Sequence, residues 1–249
     1  MYHRKQLLLL LLLTLFITTV TKAQFYLGLE AGLNKNQLYT NNANQAFTEY
    51  KKGSGLSIGI PVLYKVNDWF AVQASPSYIQ KNYTIARTGY FQGVYQDNIN
   101  GYIQLPIMGQ FSFGDEQFRG FVNLGMYGAY WAGSRIKGAQ LNALNPVDTA
   151  YYNVAPTYAS GEINLYNYNE KYSFSSTKDN RFEFGWIAGI GMSYETESGY
   201  RFYIEGRRTY SFTDQQKNYM INQVPRYNDT YGVSIGCMID MSKIFGSFY

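Results

Sequence analysis

Along most of this sequence, apolar residues alternate with small or polar residues at a period of two. In the clearest stretch, Phe182–Glu195, apolar or aromatic residues take every second position, and glycine, serine or glutamate take most positions between them. A period of two places the two sets on opposite faces of a β-strand. Such stretches cover residues 25–33, 56–65, 70–78, 103–113, 119–130, 181–195, 201–212 and 231–241. The pattern predicts an all-β protein with eight strands.

Except for Arg208, the charged residues in these stretches lie on the small and polar face. They include Glu30, Lys65, Arg119, Glu183, Arg201, Glu205, Arg207 and Asp240. In a soluble barrel the apolar face points inward. In a membrane barrel it meets lipid, where a charge costs about 2–4 kcal/mol at mid-membrane. We therefore interpret these charges as lining the interior of a transmembrane barrel. They form a charge network that fills a narrow lumen, which eight strands favour, or they line a small pore.

Some residues have positions that suit the two membrane interfaces. Arg208 lies on the apolar face of the alternation. We expect it to lie at the level of the outer headgroups, with its aliphatic chain along the wall, or to contact a protein partner. Aromatic residues near the ends of the stretches, such as Trp69 and Tyr194, are typical of the interfacial girdles of membrane barrels.

Short and long connections alternate between the predicted strands. The tight ones are Asn67–Asp68, Gly114–Glu116 and Glu197–Gly199, and the long ones cover about residues 34–54, 81–98, 133–180 and 213–229. Outer-membrane barrels combine short periplasmic turns, long extracellular loops and an even number of strands. Unpaired backbone groups are too costly in hydrocarbon, so the sheet must close. We predict an eight-stranded antiparallel transmembrane β-barrel in the outer membrane of a Gram-negative bacterium.

The first 23 residues have the form of a cleaved signal peptide. A basic start with Arg4 and Lys5 precedes the apolar run Leu7–Val20, and we expect cleavage after Ala23. The predicted barrel then covers residues 24–241, with its longest loop at about 133–180, and a periplasmic tail covers residues 242–249. After cleavage, 18 basic and 17 acidic residues remain. A net charge near +1 gives no indication of nucleic-acid binding.

The chain expected after cleavage contains no histidine, because the only one, His3, lies in the signal. This excludes barrel enzymes that use histidine as a base. Glu183 and Glu205 are the carboxylate pair that could hydrolyse glycosides. We favour a structural interpretation, in which they form salt bridges with Arg201 and Arg207. With a single cysteine and no metal-ligand motif, we expect no catalytic residue, cofactor or metal.

The third long loop is rich in tyrosine. Its tyrosines include Tyr151, Tyr152, Tyr158, Tyr166, Tyr168 and Tyr172. Tyrosine offers a large amphipathic contact at a small loss of entropy, so this loop is a candidate surface for protein or sugar partners. The alternative is a β-hairpin above the membrane without a partner. Arg208 and the terminal Phe248 and Tyr249 complete the candidate partner surface, although a terminal aromatic also resembles the assembly signal of outer-membrane barrels.

Three segments, Tyr102–Ile107, Phe184–Gly191 and Phe202–Arg207, resemble strand motifs of the PorT-like outer-membrane β-barrel family, with Arg208 where a tyrosine is more usual. The resemblance covers residues 25–241. It implies an eight-stranded outer-membrane barrel of a kind often called porin-like. The family's name-giving member is associated with a system that exports protein cargo across the outer membrane.

We therefore expect a non-enzymatic accessory or structural subunit of an outer-membrane complex for protein secretion, assembly or uptake. Its partners would be outer-membrane lipid and other proteins of that complex. A wide hydrated lumen would instead indicate a small passive porin-like channel. An ordered and exposed aromatic groove would indicate a surface-binding protein that acts through the Tyr-rich third loop.

Overall fold

The computed structural model describes residues 24–40, 46–141, 165–221 and 223–245, most of which lie in β-strands. The strands are β1 (Gln24–Tyr39), β2 (Thr48–Gly59), β3 (Val62–Lys65), β4 (Phe70–Ala74), β5 (Ser77–Gln80), β6 (Tyr83–Arg87), β7 (Tyr95–Gly114), β8 (Phe118–Leu141), β9 (Leu165–Lys171), β10 (Phe182–Glu195), β11 (Tyr200–Ser211) and β12 (Tyr227–Asp240). A 3₁₀ turn (Gly89–Phe91) and a short helix, α1 (Met241–Phe245), accompany them. In this described part of the chain, no helix is both long and apolar enough to cross a membrane.

The strands close into an antiparallel ring of eight, which confirms the predicted fold. β12 pairs with β1 from Tyr39↔Tyr227 to Tyr26↔Asp240 and so joins the last wall strand to the first. The ring continues through β2 with β3, then β4 with β5 and β6, then β7, β8, β10 and β11. The breaks between β2 and β3 and between β4 and β5 contain Pro61 and Pro76, whereas residues 81–82 separate β5 from β6. Proline suits such breaks because it has no backbone N–H to donate to the ladder.

The wall of the barrel is apolar outside and polar inside. Leu33 and Ile190, on the outer face, are 68% and 66% exposed, whereas Asn123 and Asp240, on the inner face, are completely buried. This distribution reverses that of a soluble barrel. It fits a protein whose outer face meets hydrocarbon and whose inner face packs polar groups against one another.

The three short connections form one end of the barrel, which we call the short-turn end, and the opposite end is the long-loop end. The tight turns lie where the sequence predicts them, between β3 and β4, β7 and β8, and β10 and β11. The predicted bounds of the long loops, in contrast, were wrong. β1 and β2 together occupy most of residues 34–54, and β6 and β7 occupy part of residues 81–98. Inside residues 133–180, β8 pairs with β9 in the β-hairpin that the sequence offered as an alternative for this loop.

The error in the loops has a physical cause. Beyond the lipid, the outward face of a strand no longer needs apolar side chains, so the alternation of hydrophobicity ends while the hydrogen-bonded ladder continues. In β1, for example, Asn34 and Asn36 point inward and are buried, and Lys35 between them points outward and is exposed. These residues keep the geometry of a strand without its usual signature in sequence.

Past the last wall strand, the predicted tail begins with α1 at the short-turn end. Ser242 donates its backbone N–H to Asp240 Oδ1 at 2.9 Å, and Lys243 Nζ donates to the carbonyl of Glu197 at 2.8 Å. The sequence pattern did not predict this helical turn. The predicted signal peptide and residues 246–249 lie outside the described residues.

Candidate functional site

The middle of the lumen holds an ion-pair network around Arg207. Its guanidinium donates to both carboxylate oxygens of Glu30, each at 2.9 Å, and Nη2 lies 2.7 Å from Glu205 Oε2. Tyr203 donates its hydroxyl to Glu30 at 2.7 Å. Glu205 is 1% exposed. Burying charges is tolerated only where they are paired and hydrogen-bonded, and this arrangement gives one cation two carboxylate partners.

Two glycines make room for this network. A Cβ at Gly236 would overlap the ring of Tyr203, which crosses over β12 to reach Glu30 on β1. A Cβ at Gly189 would overlap the carboxylate of Glu205. The glycines in these inward positions therefore let long polar side chains lie flat against the wall of a narrow barrel.

A belt of amides extends the Arg207 network across the barrel. Asn123 donates to Glu205 at 2.8 Å, and Gln110 donates to Asn123 at 3.1 Å and to Gln73 at 3.2 Å. Arg201 donates to Gln110 through Nη2 at 2.7 Å. Together with Glu30 and Arg207, these side chains link β1, β4, β7, β8 and β11 across the lumen.

A second network lies toward the long-loop end and is centred on Lys81. Lys81 is completely buried, and its Nζ lies 2.5 Å from Glu183 Oε1. Tyr127 and Asn228 donate to the same carboxylate at 2.7 and 2.6 Å. The ammonium group also lies 4.6 Å from the centre of the Tyr127 ring and 5.2 Å from that of Tyr102. These contacts satisfy both charges of the pair in the absence of bulk water.

Lys81 was missing from the predicted lumen residues because it falls at the start of a predicted loop. One signal could have found it. The odd-numbered residues of its strand point inward from Ala71 through Gln73, and continuing that parity places Lys81 inside. Few of the outward-facing residues near Lys81 are apolar. The alternation of hydrophobicity therefore ends before Lys81, although the wall strand continues.

The structure separates the two glutamates considered as a carboxylate pair. Glu205 pairs with Arg207, as expected, but Glu183 pairs with Lys81, and Arg201 binds an amide. The cross-strand partner of Glu205 is Gly191, eight residues along β10 from Glu183. That is roughly 25 Å of strand at about 3.3 Å per residue, far more than the carboxylate separation of about 5–9.5 Å in glycosidases.

The remaining predicted lumen charges lie at the short-turn end. Lys65 Nζ donates to Gln24 at 3.3 Å, Arg119 donates to the carbonyl of Asp68, and Asp240 accepts from the start of α1. The Arg207 network does not include them. The lumen charges therefore fall into three levels along the barrel axis rather than one network.

The long-loop end opens into a cavity of about 200 Å³. Trp131 is stacked between Tyr102 below and Tyr172 above, with both centroid distances 5.9 Å, and Phe174 meets it edge-on at 4.9 Å. The other lining residues are mostly polar: Tyr83, Ile85, Gln96, Asn98, Ser134, Asp179, Gln215, Gln216 and Arg226. The aromatic stack and the Lys81 network below it form the floor of this cavity.

The described members of the predicted partner surface lie in different parts of the barrel. Tyr166 is half exposed on β9, and Tyr168 donates to Gln96 at 3.1 Å. Tyr172 instead packs in the cavity at the long-loop end and donates to Asp179 at 2.9 Å. It reaches this position because the chain folds back after β9, where the backbone N–H of Tyr172 donates to the carbonyl of Ser134. Burial and the Asp179 carboxylate raise the pKa of Tyr172, which keeps its hydroxyl a donor.

The other members of the predicted surface have different positions. Arg208 faces outward, where it forms a bidentate ion pair with Asp229, both bonds 3.1 Å long. Its guanidinium lies 5.6 Å from the Trp186 ring and 4.9 Å from the Tyr231 ring. Five further members fall outside the described residues: Tyr151, Tyr152, Tyr158, Phe248 and Tyr249. In the described part of the chain, no group of three or more acidic, histidine or cysteine side chains could bind a metal ion.

An apolar outer wall, a closed ring of eight strands and a polar interior define an outer-membrane β-barrel. The family model "Outer membrane protein beta-barrel domain" matches residues 21–216, and the chain belongs to this family. Its place is the outer membrane of a Gram-negative bacterium. A search of curated proteins finds no match.

Several solved structures are similar to this chain. Neisserial surface protein A is 12% identical, with a TM-score of 0.40, over 87% of this chain and 96% of that one. Ail, the attachment invasion locus protein of Yersinia pestis, solved with the heparin analogue sucrose octasulfate, is 9% identical, with a TM-score of 0.35, over 86% and 99%. The outer membrane protease OmpT of Escherichia coli is 10% identical, with a TM-score of 0.28, over 88% and 95%. At these identities, no neighbour's activity transfers to this chain.

Proposed function

We propose that this barrel carries no solute through its lumen and acts as a non-enzymatic structural or accessory subunit of an outer-membrane complex. The observation that carries the proposal is the filled lumen, in which buried networks around Arg207 and Lys81 link strands that are not neighbours in the ring. An eight-stranded barrel has an interior only just wide enough for side chains. A barrel filled in this way acts through its outer wall and its two ends.

The long-loop end supports a role in contacts with other proteins. β8 and β9 form a hairpin that extends beyond the ring, and among the described residues β9 pairs with β8 alone. Tyr166 is 50% exposed on this hairpin. An open strand edge accepts a further strand from a partner, and exposed tyrosine favours protein contacts. The resemblance to the PorT-like family agrees with a complex that moves protein across the outer membrane.

The test is purification from native outer membranes in a gentle detergent, with an affinity tag inserted after Ser198 in the β10–β11 turn. We expect other outer-membrane or periplasmic proteins to co-purify in stoichiometric amounts, as read by mass spectrometry. A partner that uses the hairpin is lost from the Tyr166→Ser variant. It is retained by the matched control Tyr90→Ser, since Tyr90 is 86% exposed outside the hairpin. A lone monomeric barrel would overturn the accessory role.

The channel alternative makes an opposite prediction for the same lumen. We expect no steady ionic current from the wild-type barrel in planar bilayers, because the networks exclude a continuous water path. A stable open current from the wild type would favour a passive porin-like channel.

One observation favours surface binding as a second candidate function. The cavity at the long-loop end combines the aromatic stack around Trp131 with polar side chains such as Asn98 and Arg226. Such a lining suits a small polar group of a sugar or peptide. Titration with soluble oligosaccharides and peptides, followed by tryptophan fluorescence, tests this function. Saturable binding by the isolated barrel, with no co-purifying protein from native membranes, would place surface binding ahead of the accessory role.

A further inference from the structure

On the outer wall, near the long-loop end, two cations lie over the ring of Tyr231 and a third is its cross-strand neighbour. Arg208 Cζ lies 4.9 Å and Lys52 Nζ 5.9 Å from the ring centroid. Lys35 is the cross-strand partner of Tyr231, which places its side chain on the same face beside the ring. We call Lys35, Lys52 and Arg208 the basic row; it spans the adjacent strands β2, β1, β12 and β11.

The basic row lies at the upper edge of the apolar wall. Closer to mid-membrane on the same outward faces are Leu33, Leu56 and Val233, which are all more than half exposed. A charge is tolerated at the membrane interface and much less so at mid-membrane, so the edge of the apolar surface marks the level of the headgroups. The cations of the basic row therefore lie where lipid phosphates lie.

The basic row carries uncompensated positive charge. Arg208 is neutralised by Asp229. Lys35 and Lys52 take part in no ion pair within the described residues. The neighbouring residues 41–45 contain no acid that could supply one. Lys35 and Lys52 are therefore the two cations of the basic row without an acidic partner in the described part of the chain.

The opposite rim of the barrel lacks such a row in the described strands. Its outward side chains include the exposed aromatics Trp69, Phe113 and Phe118, whereas its strand cations Lys65 and Arg119 point inward. This asymmetry matches the membrane in which the barrel lies, since only the outer leaflet of a Gram-negative outer membrane is built from phosphorylated glycolipid. Outward cations at one rim indicate recognition of that lipid rather than general solubility.

We propose that the basic row binds a phosphate group of lipid A, the phosphorylated glycolipid of the outer leaflet. Lys35 and Lys52 supply the charge, and Arg208, held by Asp229 and by the Trp186 and Tyr231 rings, borders the site. Clusters of basic side chains at the membrane surface bind lipid headgroups in this manner. The basic row is separate from the lumen and from the β8–β9 hairpin. The proposal of lipid binding is therefore independent of the proposed accessory role.

Native mass spectrometry of the folded full-length mature barrel with diphosphoryl lipid A tests the site. We expect one lipid to stay bound to the wild type, and the Lys35→Gln/Lys52→Gln variant to bind on the order of thirtyfold more weakly, since each basic residue near a lipid surface contributes about fivefold. The matched control is Lys51→Gln/Lys137→Gln. It removes the same charge at the same end, but from lysines already paired with Glu49 and Asp97. The control should bind as the wild type does.

Two further binding measurements identify the source of the phosphate group. Dephosphorylated lipid A should bind no better to the wild type than to the Lys35→Gln/Lys52→Gln variant, and millimolar inorganic phosphate should not displace diphosphoryl lipid A. Displacement by inorganic phosphate would overturn the lipid assignment, as would an equal loss of binding in the control variant. Heat-modified mobility on gels confirms that each variant is folded. Arg208→Gln, with a smaller expected loss, is the independent second variant.

Discussion

Arg207 and Arg208 are neighbours in sequence and lie on opposite sides of the barrel wall. Inside, Arg207 is held by two carboxylates, those of Glu30 and Glu205, and its side chain is 12% exposed. Outside, Arg208 has one carboxylate, that of Asp229, and its side chain is 45% exposed. Two adjacent arginines thus occupy two different environments, one buried in the lumen and one on the outer surface.

The difference shows that the inner and outer surfaces of this barrel are stabilised in different ways. In the lumen, water is scarce, so each charge depends on a fixed partner, and removing one leaves the other buried and unpaired. At the outer rim, water and headgroups replace a lost partner, so an ion pair contributes little to stability. The inside therefore gives the fold its rigidity, while the outside is free to recognise lipid or protein.

The largest effect is expected from Arg207→Met. This change leaves the buried carboxylates of Glu30 and Glu205 facing each other without a cation. We expect a loss of about 4–5 kcal/mol in the free energy of unfolding, the upper part of the range for breaking a buried pair. Urea unfolding in phospholipid vesicles, followed by tryptophan fluorescence, measures it. A loss no greater than that of Arg208→Met would mean that water fills the lumen.

The next effect is expected from Lys81→Met. Glu183 then keeps its bonds from Tyr127 and Asn228 but loses its only cation within the described residues. We expect a loss of about 3 kcal/mol in the same unfolding measurement. Replacing both partners, Lys81→Met/Glu183→Leu, should recover most of this loss, because no charge is left unpaired. A double variant as unstable as the sum of its single variants would show that the pair is not coupled.

Much of the fold was predictable from the sequence because alternation in a strand reports directly which face a residue takes. The inward positions of Glu30 and Arg207 follow from a period of two, and so does the outward position of Arg208. Closure follows from the requirement that no strand edge meets lipid. These are local rules, and eight repeats of them are enough to predict a barrel.

The partners inside the lumen were not predictable in the same way. Glu30 and Arg207 are 177 residues apart in sequence, and their contact depends on the register of three strands. Lys81 and Tyr172 were misplaced for a related reason: beyond the lipid, a strand or a returning loop no longer carries an apolar outer face. Beyond the lipid, strands no longer need alternating hydrophobicity, so the sequence no longer indicates where they end or which side chains face inward.

A smaller effect is expected from Tyr203→Phe, which deletes one hydroxyl and leaves the ion pairs of the Arg207 network in place. Glu30 would keep both bonds from Arg207 and lose the 2.7 Å bond from Tyr203. A hydrogen bond to a charged group contributes about 1.5–3 kcal/mol, so we expect a loss of about 2 kcal/mol in the unfolding measurement. The control is Tyr64→Phe on the outer face, which should change little. A loss as large as that of Arg207→Met would instead indicate that the network depends on the Tyr203 hydroxyl as much as on its cation, and no loss would indicate that only the packing of the ring matters.

The smallest effect is expected from Arg208→Met. Its ion pair with Asp229 is half exposed, and such pairs contribute about 0–1 kcal/mol. The loss should stay below about 1 kcal/mol and should shrink further in high salt, whereas the loss for Arg207→Met should not change with salt because its partners are buried. Parallel unfolding curves of the two variants at low and high salt measure this contrast. If Arg208→Met proved as damaging as Arg207→Met, the outward arginine would be part of the structure of the wall. A small and salt-sensitive loss would show that the fold does not need a cation in that position, which agrees with a role for Arg208 in recognition at the membrane surface.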